Sequence, residues 1–191
     1  CCARQTLKQA GDALSLRLAD GTYRVVALSG LPSSSAVPER PTWNSVVWPN
    51  GANALFDQAI LRAEASVTVA EKRSQVHLLL APVVTAAELR LTQLPNDATA
   101  AAIEIAPACT ALNFAGERSG EGRVSVSLTR GADGVWTSGV HYLLPAGKSP
   151  TQLSIRWTRN GEQAVYGYTY PQALVAGTPY RFEGAFVDDA A

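Results

Sequence analysis

The stretch Leu153-Ser-Ile-Arg-Trp157-Thr-Arg-Asn160-Gly161-Glu-Gln-Ala-Val-Tyr166-Gly-Tyr168-Thr-Tyr170 decides the fold. Leu153, Ile155 and Trp157 alternate with polar residues, and so do the three tyrosines. Period two is the spacing of a strand, which puts each set on one sheet face. Asn160-Gly161 sits between the two runs. Both central positions of a two-residue hairpin turn need positive φ, and Asn-Gly supplies it. The stretch therefore reads as a β-hairpin.

The same pattern continues on both sides. Leu89 with Leu91, Ile103 with Ile105, and Val124-Val126-Leu128 each mark a short alternating run. Val140 to Leu144 follows before the hairpin, and Tyr180-Phe182-Gly184 follows after it. Pro95-Asn96-Asp97, Gly131 to Gly134 and Pro145 to Gly147 separate the runs as turn signals. Many short strands with little helix predict a β-sandwich over residues 84–191.

Residues 13–83 read as a short first β domain, with the boundary near residues 82–86. Leu14, Leu16 and Leu18 share a face, Asp20-Gly21 is a turn, and Tyr23 to Leu28 resumes the strand. Leu14–Leu28 is therefore expected to be a hairpin. A long Pro/Ser/Trp loop spans residues 30–53 and carries Trp43 and Trp48. Asn53 is placed to cap a short helix in which Phe56, Ile60 and Ala63 align. Strands are expected at Ala65–Val69 and Gln75–Leu80. Residues 1–12 read as an N-terminal tether, or as a short helix ending at Gly11. The chain is thus expected to be mainly β, with two small β-sandwich domains in series and at most one or two short helices. Asp20 to Leu28 is faintly echoed by Ala176 to Gly184, each a glycine turn feeding an aromatic strand.

The 191 residues are 47% hydrophobic and 17% charged, which excludes intrinsic disorder. Sixteen basic residues balance sixteen acidic ones, so nothing marks a nucleic-acid partner. No apolar run approaches about 18 residues, the length of a membrane-crossing helix. The sequence carries no G-x-S-x-G elbow, H-E-x-x-H, P-loop or dinucleotide fingerprint. Gly116 to Gly122 is glycine-rich but lacks the Lys-Ser/Thr pair of a phosphate cradle, and it reads as a hairpin loop. His141 has no carboxylate near it in sequence to orient it as a base. Asp188 and Asp189 read as a solvated terminus. Three cysteines with His77 and His141 do not make a zinc site, so no metal is expected. The reading is non-enzymatic, with no cofactor other than a covalent lipid.

That lipid is expected on Cys1. The sequence has no Met and begins with Cys. Lipoprotein maturation cuts before a cysteine whose thiol carries the lipid, and two or three acyl chains hold a domain on a membrane. Cys2 and Cys109 could pair as a disulfide, which an oxidising envelope permits. Alternatively, Cys109 in its apolar setting is a buried thiol. Tyr166, Tyr168 and Tyr170 read either as core packing or as a flat platform for stacking sugar rings. Trp43 and Trp48 invite the same two readings.

Three patches resemble the fimbrillin-like lipoproteins of Bacteroidales, a family of fimbrial shaft, tip and anchor subunits. They are Gly21 to Leu28, Tyr142-Leu-Leu-Pro145 with Gln152 to Trp157, and Leu174 to Phe182. The resemblance implies two transthyretin-like β-sandwich domains, export as an outer-membrane lipoprotein, a cell-surface location and assembly by donated strands. Donation is β-augmentation, in which an extended segment completes an open sheet. Two departures from the family bear on function. The first domain is short or incomplete, and little sequence follows Phe186-Val187. Together they imply a fimbrial anchor or accessory subunit that accepts a partner strand. The alternative is a surface glycan-binding lipoprotein, or one associated with an outer-membrane transporter complex. An accessible sheet edge in the first domain favours the first reading, and exposed aromatics favour the second.

Overall fold

The structure is a computed structural model. It describes residues 3, 5–6, 13–32, 35, 37–47, 55–70 and 73–186. The described residues form eleven strands and no helix. β1 (Gly21–Ser29), β3 (Leu61–Val69) and β4 (Ala81–Pro82) make a three-stranded sheet in the order β1-β3-β4.

The second sheet has eight strands: β2 (Leu55–Phe56), β5 (Thr85–Thr92), β6 (Ala98–Leu112), β7 (Arg118–Arg130), β8 (Trp136–Pro145), β9 (Thr151–Arg159), β10 (Glu162–Tyr170) and β11 (Pro179–Ala185). Its order is β10-β9-β6-β7-β8-β5-β11, with β2 paired to β8.

The larger sheet curls over on itself. β7 and β8 share only two pairs, Thr129↔Thr137 and Arg130↔Trp136, next to their connecting turn. Beyond that point β7 follows β6 while β8 follows β5. The inner faces of the two layers meet in a core that includes Leu89, Leu91, Ile103, Ile105, Val124, Leu143 and Leu153. β5 shows how directly the alternation is used. Thr85, Ala87, Leu89 and Leu91 are buried, and the residues between them are only partly covered. The buried Thr85 hydroxyl donates to the Thr178 carbonyl at 2.5 Å, so its burial leaves no unmet donor. The result is a mainly-β sandwich, as the strand pattern predicts.

A second cluster joins the two sheets. Val47, Phe56, Ile60, Val84, Cys109, Leu112 and Leu144 are its buried members, with Leu28 and Leu31 packed against them.

The Asn160-Gly161 turn is as predicted, with φ of 50° and 81°. Four local expectations fail. The expected helix from Asn53 is absent: Leu55–Phe56 pairs with Leu143 and Tyr142 of β8, and Leu61 opens β3. Phe56, Ile60 and Ala63 are all buried, so the helical spacing records burial at a chain bend rather than a helix face. Asn53 itself lies outside the described residues.

The hairpin Leu14–Leu28 does not form. β1 pairs with β3 along its whole length, and residues 13–19 join no ladder. Residues 75–80 likewise form no strand. Part of the glycine-rich run is strand rather than loop, because β7 begins at Arg118; Gly116, at φ 84°, turns the chain before it. The expected helix near residues 2–10 falls mostly outside the described residues.

Candidate functional site

Among the described residues β1 is an open edge of the small sheet, as β10 and β11 are of the large one. β1 pairs with β3 through nine consecutive residues, from Gly21↔Val69 to Ser29↔Leu61, with no bulge. On its other side β1 has no neighbouring strand among the described residues. An edge presents a row of backbone donors and acceptors, and proteins usually blunt it with proline, lysine, a bulge or an inward charge. β1 reads Gly-Thr-Tyr-Arg-Val-Val-Ala-Leu-Ser and uses none of the first three devices. Its single charge, Arg24, lies on the polar face, bound to Glu64.

The two faces of this sheet differ sharply. The register puts Tyr23, Val25 and Ala27 opposite Val67, Ala65 and Ala63 on one face. Of these six only Ala63 is buried; the other five are half-buried. None belongs to the two core clusters. Among the described residues the apolar face therefore has no full second layer, although a sandwich needs one to cover its sheet.

The polar face is pinned to the rest of the molecule. Glu64 accepts from Arg24 and from Arg62, the latter at 2.5 Å. Arg62 also donates through Nε to the Phe114 carbonyl at 3.0 Å. Hydrogen bonds from Arg62 first, then from Arg24, hold the Glu64 carboxyl below the usual carboxylate range. The Arg24 guanidinium lies 3.9 Å from the centre of the Trp43 ring, a cation–π contact. The Trp43 loop is in turn stitched to the β6–β7 turn. Ala115 donates to the Trp43 carbonyl at 3.1 Å, and Val47 donates to the Leu112 carbonyl at 2.8 Å.

Two further segments share the open character of β1. Leu14, Leu16 and Leu18 precede it, and Val76, Leu78 and Leu80 follow β3. Both have strand-like alternation, and neither joins a ladder. Leu14 and Leu16 are exposed, and Leu79 is 92% exposed. Among the described residues, β3 pairs on its second side through Leu61↔Pro82 and Arg62↔Ala81. Nearby, the Ser74 hydroxyl donates to the Thr68 carbonyl at 2.8 Å.

The sequence-predicted site residues scatter over the molecule. Trp43 is half-buried against Arg24, on the small sheet. Tyr166, Tyr168 and Tyr170 lie on β10, an edge of the large sheet. Tyr170 packs into the core and meets Tyr180 and Phe182 edge-on, with ring centres 6.1 and 5.7 Å apart. Tyr166 and Tyr168 remain about half exposed.

Trp48, Cys1, Cys2, Asp188 and Asp189 lie outside the described residues. Cys109 is a free thiol on β6 and nearly fully buried. Burial pushes its pKa up, which keeps it protonated and inert. His141 contacts the Ser138 carbonyl through Nε2 at 2.8 Å, holding a bend in β8. Among the described residues, no three His, Cys, Asp or Glu side chains are grouped to hold a metal ion. The Arg62–Glu64–Arg24 cluster was missed from sequence. Its only local trace is the Arg-x-Glu spacing at 62 and 64, which places both side chains on one strand face.

No protein-family model matches the sequence, and no curated protein matches it either. Solved structures do. A candidate adhesin from Bacteroides ovatus aligns with a TM-score of 0.63 at 15% identity, over 91% of this chain and 70% of that one. The fimbrial anchor protein Mfa2 from Porphyromonas gingivalis aligns with a TM-score of 0.53 at 11% identity, over 81% of this chain and 78% of its own. The chain spans 64% of a candidate cell adhesion protein from Bacteroides fragilis, at 17% identity and a TM-score of 0.49. At these identities the likeness is one of fold. It agrees with the mainly-β sandwich expected from the sequence.

Proposed function

We propose that this chain is a non-enzymatic cell-surface protein of the fimbrial and adhesin type, and that it binds a protein partner through its small sheet. The partner supplies an extended segment that pairs with the free edge of β1. The single observation behind this reading is that edge: nine residues without a bulge, unpaired on one side among the described residues, beside an apolar face that is only partly covered. An added strand would satisfy the backbone groups of β1. Its alternate side chains would extend the Tyr23-Val25-Ala27 surface, giving affinity and specificity together. The polar face needs no such cover, because Arg24, Glu64, Arg62 and Trp43 already occupy it. The fold likeness to a fimbrial anchor protein agrees with an anchor or accessory role in such an assembly.

The test is photo-crosslinking in the native membrane. With benzoylphenylalanine at position 23, crosslinks to a fimbrial subunit are expected. Val25→Lys, which puts a charge on the apolar face, is expected to abolish them. The same probe at Val165, an exposed site on the large sheet, should stay silent. Crosslinks of equal yield from both positions, or from Val165 alone, would overturn the reading. The outer-membrane lipid tether expected at Cys1 belongs to the same proposal and is read separately, from the mass of the N-terminal peptide.

A further inference from the structure

We propose a second binding site, for a neutral oligosaccharide, on the Trp157–Ala164 face of the β9–β10 hairpin. It is independent of the β1 edge and lies on the other sheet. A pocket of about 350 Å³ is lined there by Trp157, Arg159, Asn160, Glu162, Gln163 and Ala164. Trp157 pairs with Ala164 across the ladder, so the ring and the small side chain share one face. The two next residues of β10 on that face are Tyr166 and Tyr168. Both point toward the core side of the sheet, as Tyr170 does, and yet they are 47% and 51% exposed.

The cause is that β10 is the last strand of its layer and the opposing layer ends at β11. Aromatic cover there comes from Phe186, whose ring meets Tyr166 edge-on with centres 5.1 Å apart. Among the described residues an inward-facing aromatic shelf is thus left open, on the same strand face as the pocket's Ala164. Successive steps along it are about 6.8 Å apart, set by the strand rise.

The chemistry of this strip fits a sugar chain. Tyrosine rings are apolar on the face and polar at the tip, which suits stacking on the C–H face of a pyranose. Asn160, at the turn, is a planar amide with donors and an acceptor for neighbouring hydroxyls. Small-ligand sites combine apolar walls with a few such polar groups. The charge balance argues against an acidic sugar. Arg159, the cation of the lining, is already engaged by Asp97 at 2.8 Å, and Glu162 would repel a carboxylate.

The test uses the whole chain and saturation-transfer NMR. The probes are maltotetraose, cellotetraose, chitotetraose and mannotetraose, with 3′-sialyllactose as the acidic comparison. Transfer to at least one neutral tetrasaccharide is expected. Tyr168→Ala and Tyr166→Ala alter half-exposed side chains, so both variants should fold, and each should weaken that binding about tenfold. Val175→Ala, at an exposed site off the strip, should leave it unchanged. No transfer from any neutral probe at millimolar concentration would overturn the proposal. So would transfer that survives both strip variants, or a preference for sialyllactose.

Discussion

β6 and β1 carry the same kind of alternation and end in opposite circumstances. β6 runs for 15 residues between β7 and β9, and Ile103 and Ile105 are almost wholly buried. β1 carries Tyr23, Val25 and Ala27 on one face, with Val26 and Leu28 on the other, but it has one neighbour among the described residues and its first face is only partly covered. Alternation determines which side of a strand is apolar. Whether that side is covered depends on a second layer, which other parts of the chain, or another chain, must provide. The large sheet supplies its own second layer by curling at the short β7–β8 ladder. The small sheet has no counterpart to that curl among the described residues.

The sharpest way to break this comparison is to truncate one apolar side chain in each region. Ile105→Ala should cost about 2–5 kcal/mol, because it empties a fully buried site. Val25→Ala on the half-covered face should cost about 1 kcal/mol or less. Urea unfolding of the two variants measures both. Equal losses would mean that the β1 face is covered in the isolated protein, which would remove the basis for a partner there.

A smaller effect probes how the small sheet is attached. Gly30 follows β1 at φ 75°, and a Cβ there would run into the Ala59 carbonyl oxygen. Gly30→Ala should therefore destabilise by about 1–3 kcal/mol, from backbone strain and the clash together. Hydrogen exchange should show the loss concentrated in β1 and β3, with the β6–β7 amides still protected. Uniform loss would instead mean that the two sheets unfold as one unit.

The smallest effect is electrostatic and concerns the polar face of the small sheet. The Glu64 carboxyl is lowered in the fold by Arg62 and Arg24. A depressed carboxylate contributes stability that is fully present above its unfolded pKa. That stability is lost as pH falls through the lowered folded value. Amide shifts across Thr22–Val26 should therefore record an acid step. Glu64→Gln should remove the step and leave the β9–β10 amides alone. A step that persists in Glu64→Gln would assign it to another group.

The strands of the large sheet were largely legible. Each of its long runs has local alternation, and the Asn160-Gly161 turn takes the positive φ that its residues favour. The small sheet was half legible. The start of β1 at Asp20-Gly21 could be read, but its partner could not. Leu14–Leu18 stands next to it in sequence and has the right pattern, whereas the true partner, β3, begins 32 residues after β1 ends, at Leu61. Phe56, Ile60 and Ala63 misled for a related reason, since a spacing that fits a helix face also fits buried positions around a bend. Of the tyrosine ladder, the common face was readable and the unequal exposure was not. Tyr170 is covered by β11 while Tyr168 lies beyond that cover.

By itself the sequence determined the strand character of most segments, the tight turns and the absence of charge for nucleic acid. These follow from side-chain period and backbone preference, which act within a few residues. Tertiary structure alone decided which strands pair, which strands lie at an edge and which aromatic rings remain exposed. Those outcomes depend on contacts between residues far apart in the chain. Arg24 with Glu64 is one such contact and Tyr166 with Phe186 is another, and no local pattern encodes either.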